Sequence, residues 1–343
     1  AVTRRDRLDG WPQVPGGGRP GGAPRARRAP SLLVGRRVVR VSDRGRRGRR
    51  RQGPQHLGHV FARARQGGRG WGRGGGAWRE VSVFGRRRAA FFLPAQVKGG
   101  DTGDVACDFY HRYKADIALM KSLGVASFRF SLSWPRIVPD GAGAVNQPGL
   151  DFYSNVVDAL LAAGIEPHVT LYHWDLPQAL QDGYGGWLDP ASVDDFARYA
   201  AAVFARLGDR VTSWSTFNEP YTFAFCGHEL GIHAPGRCSD RARCAEGNSA
   251  VEPWVVSHHV LLAHAAAVKH FRALVPKGRI SININAEWAE PLTDSPADVA
   301  AASRYLDSQL GLYGDPLWFG DYPESLKRMV PALPAFTDAQ KKD

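Results

Sequence analysis

The chain has 343 residues, of which 43% are hydrophobic and 10% aromatic, so it can bury a sizeable core. This composition excludes a mainly disordered chain, a collagen-like chain and a small disulfide-rich protein. The net charge is +12, and no run of about 18 apolar residues predicts a membrane-spanning helix, so we expect no membrane partner. Residues 1–13 show no apolar segment of the kind that marks a signal peptide.

The charge is divided unevenly along the chain. Residues 1–96 contain 24 Arg, no Lys and 4 acidic residues, together with 19 of the 39 Gly, whereas residues 97–343 carry a net charge of −8. Because residues 1–96 show neither helical nor strand periodicity, we expect a disordered Arg/Gly-rich segment there.

Three interpretations of segment 1–96 are open: a nucleic-acid-binding arm, a solvated tail, or sequence that is not native protein. An Arg/Gly-rich arm can bind nucleic acid by neutralising phosphates. Its aromatic residues are few and irregularly spaced, however, whereas such arms interleave aromatics that stack on bases. We therefore expect no nucleic-acid partner.

From residue 101 onward, helical and strand patterns alternate with short connections. In chain order they predict a helix over 111–125, a strand over 126–134, a helix over 150–164, a strand over 167–174, a helix over 192–209, a strand over 211–219, a helix over 252–275, a strand over 279–288 and a helix over 297–311. Such alternation predicts a parallel sheet covered by helices.

Each predicted strand ends in unusual polar groups, namely Arg129 to Trp134, His173 with Trp174, Asn218 with Glu219, and Asn285. In a (β/α)8 barrel these ends form the active-site face. Four such ends favour a barrel over a doubly wound sheet, where binding concentrates at one switch point. No GxGxxG follows a strand and no GxxxxGK[ST] occurs, so we expect no nucleotide cofactor.

Glu219 is the first candidate catalytic residue. A glutamate at a strand end is usually a solvated or salt-bridged carboxylate, but three features of the neighbouring sequence favour a catalytic role. The Asn218 amide can bind a hydroxylated ligand, and Pro220 ends the strand. We expect Trp214 and Phe217 to supply the apolar surroundings that suit a general acid.

His173-Trp174-Asp175 ends the preceding predicted strand. A single histidine is more often a hydrogen-bonded core residue, and a tryptophan at a strand end more often packs against a neighbour. Together, beside Asn218 and Glu219, they indicate a carbohydrate subsite, in which imidazole binds a hydroxyl and indole offers a flat apolar face to the sugar.

Six ordered segments resemble family 1 glycoside hydrolases, specifically plant β-glucosidases, over about residues 99–340. They are YHRYKADI (110–117), FRFSLSWPRIVPDG (128–141), LYHWDLPQAL (171–180), GWLDP (186–190), STFNEP (215–220) and DPLWFGDYP (315–323). The resemblance implies a (β/α)8 TIM barrel and hydrolysis of terminal β-D-glucosides with retention, through two glutamates.

By this resemblance, Glu219 is the general acid/base and the proton donor. Asn218 would contact the sugar 2-hydroxyl, His173 would hydrogen-bond the sugar, and Trp174 would help shape its subsite. Arg129 would lie beneath the site near the nucleophile, and a structural ion pair is an equally good explanation of this arginine. The implied partners are β-glucosides or oligosaccharides, and no oligomeric state is predicted.

The chain departs from the family pattern in two places. No Glu-Asn-Gly, the segment that carries the family's nucleophile, occurs in the 343 residues. The family's first-strand motif is also absent, and four strands are predicted rather than eight. We therefore expect residues 97–343 to form an incomplete barrel of four to five βα units, poorly soluble and without glycosidase activity as this exact chain. The alternatives are a glycan-binding pseudoenzyme and, more remotely, an Arg/Gly-rich nucleic-acid binder.

A coding hypothesis accounts for the front of the chain. Codons for residues about 36–66 can hide the family's first-strand motif in a neighbouring reading frame, and residues about 67–96 resemble a translated intron.

Four cysteines stand at positions 107, 226, 238 and 244. From the residues alone, Cys238 and Cys244 could be free thiols or metal ligands, but a zinc site would need further ligands nearby, so we expect no metal. The resemblance implies a Cys238–Cys244 disulfide, hence an oxidising compartment such as the vacuole or the extracellular space. We expect Cys107 and Cys226 to be buried and unpaired.

Overall fold

The computed structural model describes residues 38–41, 103 and 105–342. Two short strands, β1 (Val38–Val41) and β6 (Trp288–Pro291), form a parallel pair. The other strands form one parallel sheet in chain order: β2 (Ser127–Ser131), β3 (Glu166–Tyr172), β4 (Ser213–Asn218) and β5 (Arg279–Asn283). The rest of segment 1–96 lies outside the described residues, so its disorder, the shifted frame and the intron stay predictions.

Helices follow the strands of the four-stranded sheet, as the alternating pattern predicts. The described helices are α1 (Phe109–Ser122), α2 (Trp134–Ile137), α3 (Gln147–Ala162), α4 (Gln178–Tyr184), α5 (Ala191–Leu207), α6 (Pro220–His228), α7 (Glu252–Leu274), α8 (Pro296–Leu306), α9 (Leu312–Phe319) and α10 (Glu324–Met329). Among them, none is long and apolar enough to cross a bilayer.

Helix α5 shows how the sequence produces this architecture. Its entry is fixed by the Asp189 carboxylate, which accepts the backbone N–H of Ala191 at 2.9 Å. Phe196, Tyr199 and Val203 then recur at helical spacing and are buried. This apolar stripe packs on the outer face of the sheet, so burial of apolar area holds the helix layer to the strands.

All four predicted strands end earlier than expected, and β2 and β5 do so by the largest margins. Strand β2 stops at Ser131, because Trp134 begins the short helix α2 and Pro135 stands in its first turn, where proline is tolerated. Strand β5 stops at Asn283, and the chain then leaves the sheet: the Glu287 N–H donates to the Gln309 side chain at 3.0 Å instead of to a neighbouring strand.

The cysteines confirm one expectation and correct another. Cys238 and Cys244 form a disulfide. Gly231, with φ of 65°, lies against this bridge where any Cβ would overlap the Cys244 sulfur. Cys107 and Cys226 are free as expected, but the prediction that both are buried is wrong. Cys107 lies in the exposed turn before α1, and Cys226 is only half-buried in α6.

Candidate active site

The carboxyl ends of β2, β3 and β4 bring three predicted residues into one hydrogen-bond network. Arg129 Nη2 donates to Asn218 Oδ1 at 2.7 Å, and Arg129 Nε donates to Thr170 Oγ1 at 3.1 Å. Asn218 Nδ2 lies 3.1 Å from His173 Nε2. Arg129, Thr170 and His173 also line a cleft of about 420 Å³. The site therefore gathers a guanidinium, an amide and an imidazole at one edge of the sheet.

The Asn218 amide fixes the state of His173. Its oxygen accepts from Arg129, so its nitrogen is the side that faces the imidazole and donates to Nε2. Burial lowers the pKa of His173, and the Arg129 charge lowers it further against the opposing effect of Glu219. Geometry and pKa agree on a neutral imidazole with its proton on Nδ1, a form that can hydrogen-bond a neutral hydroxyl group.

Trp174 is held in an unusual backbone conformation. Its φ is 79°, in the region that non-glycine residues rarely adopt. The indole Nε1 donates to the backbone carbonyl of Asn218 at 2.7 Å, and the His233 ring lies 5.4 Å from the indole. These contacts join Trp174 to the end of the next strand, so the indole has a fixed position beside Asn218.

Glu219 stands between β4 and α6, half-buried, with φ of 49°. Its backbone N–H donates to the Asn283 carbonyl at 2.8 Å, which ties it to the end of β5. Its Oε2 accepts the Thr222 hydroxyl at 3.3 Å. A single carboxyl held at a strand end beside an amide and a neutral imidazole can transfer a proton to or from a bound hydroxylated ligand.

The two aromatic residues expected to surround Glu219 face the core instead. Trp214 and Phe217 both face helix α5, where their rings lie 5.1 Å from Phe204 and 4.5 Å from Phe196. They therefore belong to the core behind the sheet. The prediction that they surround the Glu219 carboxyl is wrong. Alternation already places Trp214 opposite Glu219, and the register shift between Ser215 and Asn218 lets Phe217 share the face of Trp214.

Asp175, the next residue after Trp174, is half-buried and adds a second carboxyl. Burial raises the pKa of Asp175 to about 6, and the opposing effects of Ser133, of the backbone N–H groups of His173 and Asp175, and of Arg136 only limit the rise. One of its oxygens, Oδ1, is buried without a hydrogen-bond partner. Ionised Asp175 is thus costly to bury at the back of the candidate site.

Sequence reasoning missed Thr170, Thr222 and His233, which contact Arg129, Glu219 and Trp174 respectively. For Thr222 a signal was present, because a residue three positions beyond Glu219 on a helix lies beside it. The other two contacts depend on tertiary placement. Among the described residues, no cluster of three or more His, Cys, Asp or Glu could hold a metal ion.

Comparison with known proteins identifies the family. The sequence profile of glycosyl hydrolase family 1 matches residues 72–343, whereas we placed the start of the barrel at residue 97, a boundary that stays a prediction. Beta-glucosidase 25 of Oryza sativa subsp. japonica is 48% identical over 256 residues, which are 73% of this chain and 51% of the relative. Beta-glucosidase 40 of Arabidopsis thaliana is 50% identical over 243 residues, covering 69% and 48% of the two chains.

Solved structures agree with the sequence relatives. A rice β-glucosidase superposes with a TM-score of 0.71 at 47% identity, covering 73% of this chain and 54% of that one. A family 1 β-glucosidase from the fungus Humicola insolens, in complex with glucose, gives 0.71 at 43% identity with the same coverage. The chain thus spans about half the length of the relatives it matches. These matches confirm the predicted (β/α)8 barrel class, to which the described sheet contributes four parallel strands, and the chain belongs to glycosyl hydrolase family 1.

Proposed function

We propose that the site described here serves the hydrolysis of terminal β-D-glucosides, with Glu219 as the general acid/base. One observation supports this most strongly. Glu219 is the residue after Asn218, and the Asn218 side-chain amide forms hydrogen bonds with Arg129 and His173 at the same strand edge. The names of the relatives, all β-glucosidases, point to the same reaction.

In this proposal, protonated Glu219 gives its proton to the glycosidic oxygen as the bond between that oxygen and the sugar anomeric carbon breaks. The electron pair of the broken bond stays with the departing alcohol. In the same step a second carboxylate forms a bond to the anomeric carbon. Glu219, now ionised, later removes a proton from the water that attacks this carbon and displaces that carboxylate. Asn218 and neutral His173 would bind sugar hydroxyls, and Trp174 would shape the subsite.

A retaining reaction also requires a second carboxyl about 5 Å from the first, as nucleophile. The resemblance places it in a Glu-Asn-Gly segment that these 343 residues do not contain. We propose that this chain supplies the acid/base side of the site.

We also propose an oxidising compartment, the extracellular space or the vacuole, for this protein. The Cys238–Cys244 disulfide supports it, because such bonds persist where thiols are not kept reduced.

The reaction can be tested in a chimaera. The matched residues of this chain replace their 256 counterparts in rice Beta-glucosidase 25, and hydrolysis of phenyl β-D-glucoside is measured. We expect turnover, and a loss in kcat of about 100-fold or more in Glu219→Gln, because proton transfer to a poor leaving group is lost.

The matched control is Glu166→Gln, which removes an exposed carboxyl at the opposite end of β3. We expect this variant to keep the activity of the chimaera. A folded chimaera without turnover, or equal activity in Glu219→Gln and Glu166→Gln, would refute the proposal. The unmodified 343-residue chain is assayed beside it, and we expect only background hydrolysis because it has no Glu-Asn-Gly nucleophile.

A further inference from the structure

Two residues outside the predicted site form a short hydrogen-bonded chain that ends on Glu219. Asn285, in the loop after β5, donates from Nδ2 to Thr222 Oγ1 at 2.9 Å. Thr222 lies in the first turn of α6. The same oxygen, Thr222 Oγ1, is 3.3 Å from Glu219 Oε2. The backbone N–H of Thr222 also donates to the Glu219 carbonyl at 3.0 Å, so the threonine is fixed relative to the glutamate.

The direction of this chain follows from donor chemistry. An amide nitrogen can only donate, so the Thr222 hydroxyl accepts from Asn285. A hydroxyl has one proton, and with Asn285 as donor that proton is free to point at Glu219 Oε2. Asn285 Oδ1 is buried without a partner. An oxygen at the place of Nδ2 would accept the Thr222 proton and reverse the chain, and the Asn285→Asp variant tests this.

A carboxyl oxygen that accepts a hydroxyl proton is the poorer place for the acid's own proton, because two protons would then meet on one oxygen. We propose that Thr222, oriented by Asn285, is a positioning residue that keeps the transferable proton of Glu219 on Oε1. This role rests on the proposed function. In the first step the Oε1 proton moves to the glycosidic oxygen, and in the second step Oε1 receives a proton from water, while Oε2 keeps its bond to Thr222 throughout.

The contact is tested directly on the full 343-residue chain by infrared spectroscopy. The chain is labelled with ¹³C-glutamate. Subtracting the infrared spectrum of the labelled Glu219→Gln variant from that of the labelled wild type isolates the carboxylate stretch of Glu219. Thr222→Val removes the hydroxyl at nearly constant shape, and Asn285→Asp supplies an acceptor that turns the hydroxyl proton away from Glu219. We expect both variants to shift this stretch and Thr222→Ser to keep it in place.

Thr212→Val is the matched control, since Thr212 is exposed just before β4. We expect it to leave the stretch unchanged. An unshifted stretch in folded Thr222→Val overturns the contact, and an unshifted stretch in Asn285→Asp overturns the direction of the chain. Circular dichroism establishes that each variant folds. If Thr222→Val does not fold, the position of the Glu219 stretch in Asn285→Asp alone decides whether the proposal stands. This measurement needs no turnover.

Kinetics of the chimaera test the catalytic consequence. Phenyl β-D-glucoside needs a proton on its leaving group, whereas 2,4-dinitrophenyl β-D-glucoside does not. We expect Thr222→Val to lower kcat/KM about tenfold for the first substrate and to leave the second unchanged, with recovery in Thr222→Ser. A purely structural loss would lower both substrates equally and overturn the proposal. If folded Glu219→Gln fails to separate the two substrates, the proposed function fails instead.

Discussion

The helix-facing side of β3 and β4 differs sharply from the carboxyl edge of the same strands. Behind the sheet, fully buried Phe217 stacks 4.5 Å from Phe196 in a closed apolar core. At the edge, Trp174 and Glu219 have positive φ, and Asp175 buries an oxygen without a partner. Strained backbone and unpaired polar atoms persist only where the surrounding structure supports them. Apolar packing in the core behind the sheet therefore stabilises the fold, and it offsets the free-energy cost of the strained backbone and unpaired oxygen at the candidate site.

The largest expected effect comes from breaking the core behind the sheet. Phe217→Ala removes a ring that packs against Phe196, Tyr172 and Trp187, and leaves a cavity. We expect a loss of about 3–5 kcal/mol in the free energy of unfolding. Urea denaturation followed by tryptophan fluorescence measures it.

Ile282→Ala in β5 is the control, because Ile282 is only half-buried and packs at the margin of the same core. We expect less than half of the loss seen for Phe217→Ala. Equal losses at the two positions would show that the core extends evenly to β5, contrary to the comparison.

The sequence was sufficient for the alternation of helices and strands, because apolar periodicity records which face of each element is buried. It also placed His173 and Asn218 at one edge, since parallel strands present their carboxyl ends together. It failed for Phe217, because strict alternation places Phe217 on the same face as Glu219, and the register shift after Ser215 cannot be read from that pattern. Asn285 was noticed as a polar strand end, but its contact with Thr222 spans 63 positions and depends on how the loop after β5 meets α6.

At the edge, Asp175 predicts a dependence of stability on pH. Its pKa is raised to about 6, chiefly by burial, whereas an unfolded aspartate titrates near 4. The folded state therefore favours protonated Asp175, so its contribution to stability is fully present below about pH 4 and is lost as pH rises through about 6. Relative to Asp175→Asn, we expect the wild type to lose about 3 kcal/mol across this range.

Urea unfolding of both proteins at several pH values measures this difference. Ser133→Ala is an informative companion, because Ser133 lowers the pKa of Asp175. Without this hydroxyl, the loss of stability with rising pH should be larger in total and extend to higher pH than in the wild type. Parallel curves for wild type and Asp175→Asn would contradict the assigned cost of burying this carboxylate.

The smallest expected effect concerns the backbone of Glu219. With φ of 49°, any residue with a Cβ is strained there, and glycine is not. Comparing Glu219→Gly with Glu219→Ala removes the carboxyl in both variants and leaves only the backbone difference. We expect the glycine variant to be more stable by about 1 kcal/mol in urea unfolding.

Ala205→Gly, at an exposed position inside α5, is the control. There we expect glycine to lower the free energy of unfolding by about 1 kcal/mol, because glycine is unfavourable inside an ordinary helix. If glycine were destabilising at both positions, the backbone of Glu219 would carry no strain, and half of the contrast between core and edge would disappear. If the signs are opposite, a residue proposed for proton transfer is held in place against its own conformational preference. That outcome would make the apolar core behind β4 a requirement of the site as well as of the fold, since the strain at Glu219 must be offset by packing elsewhere.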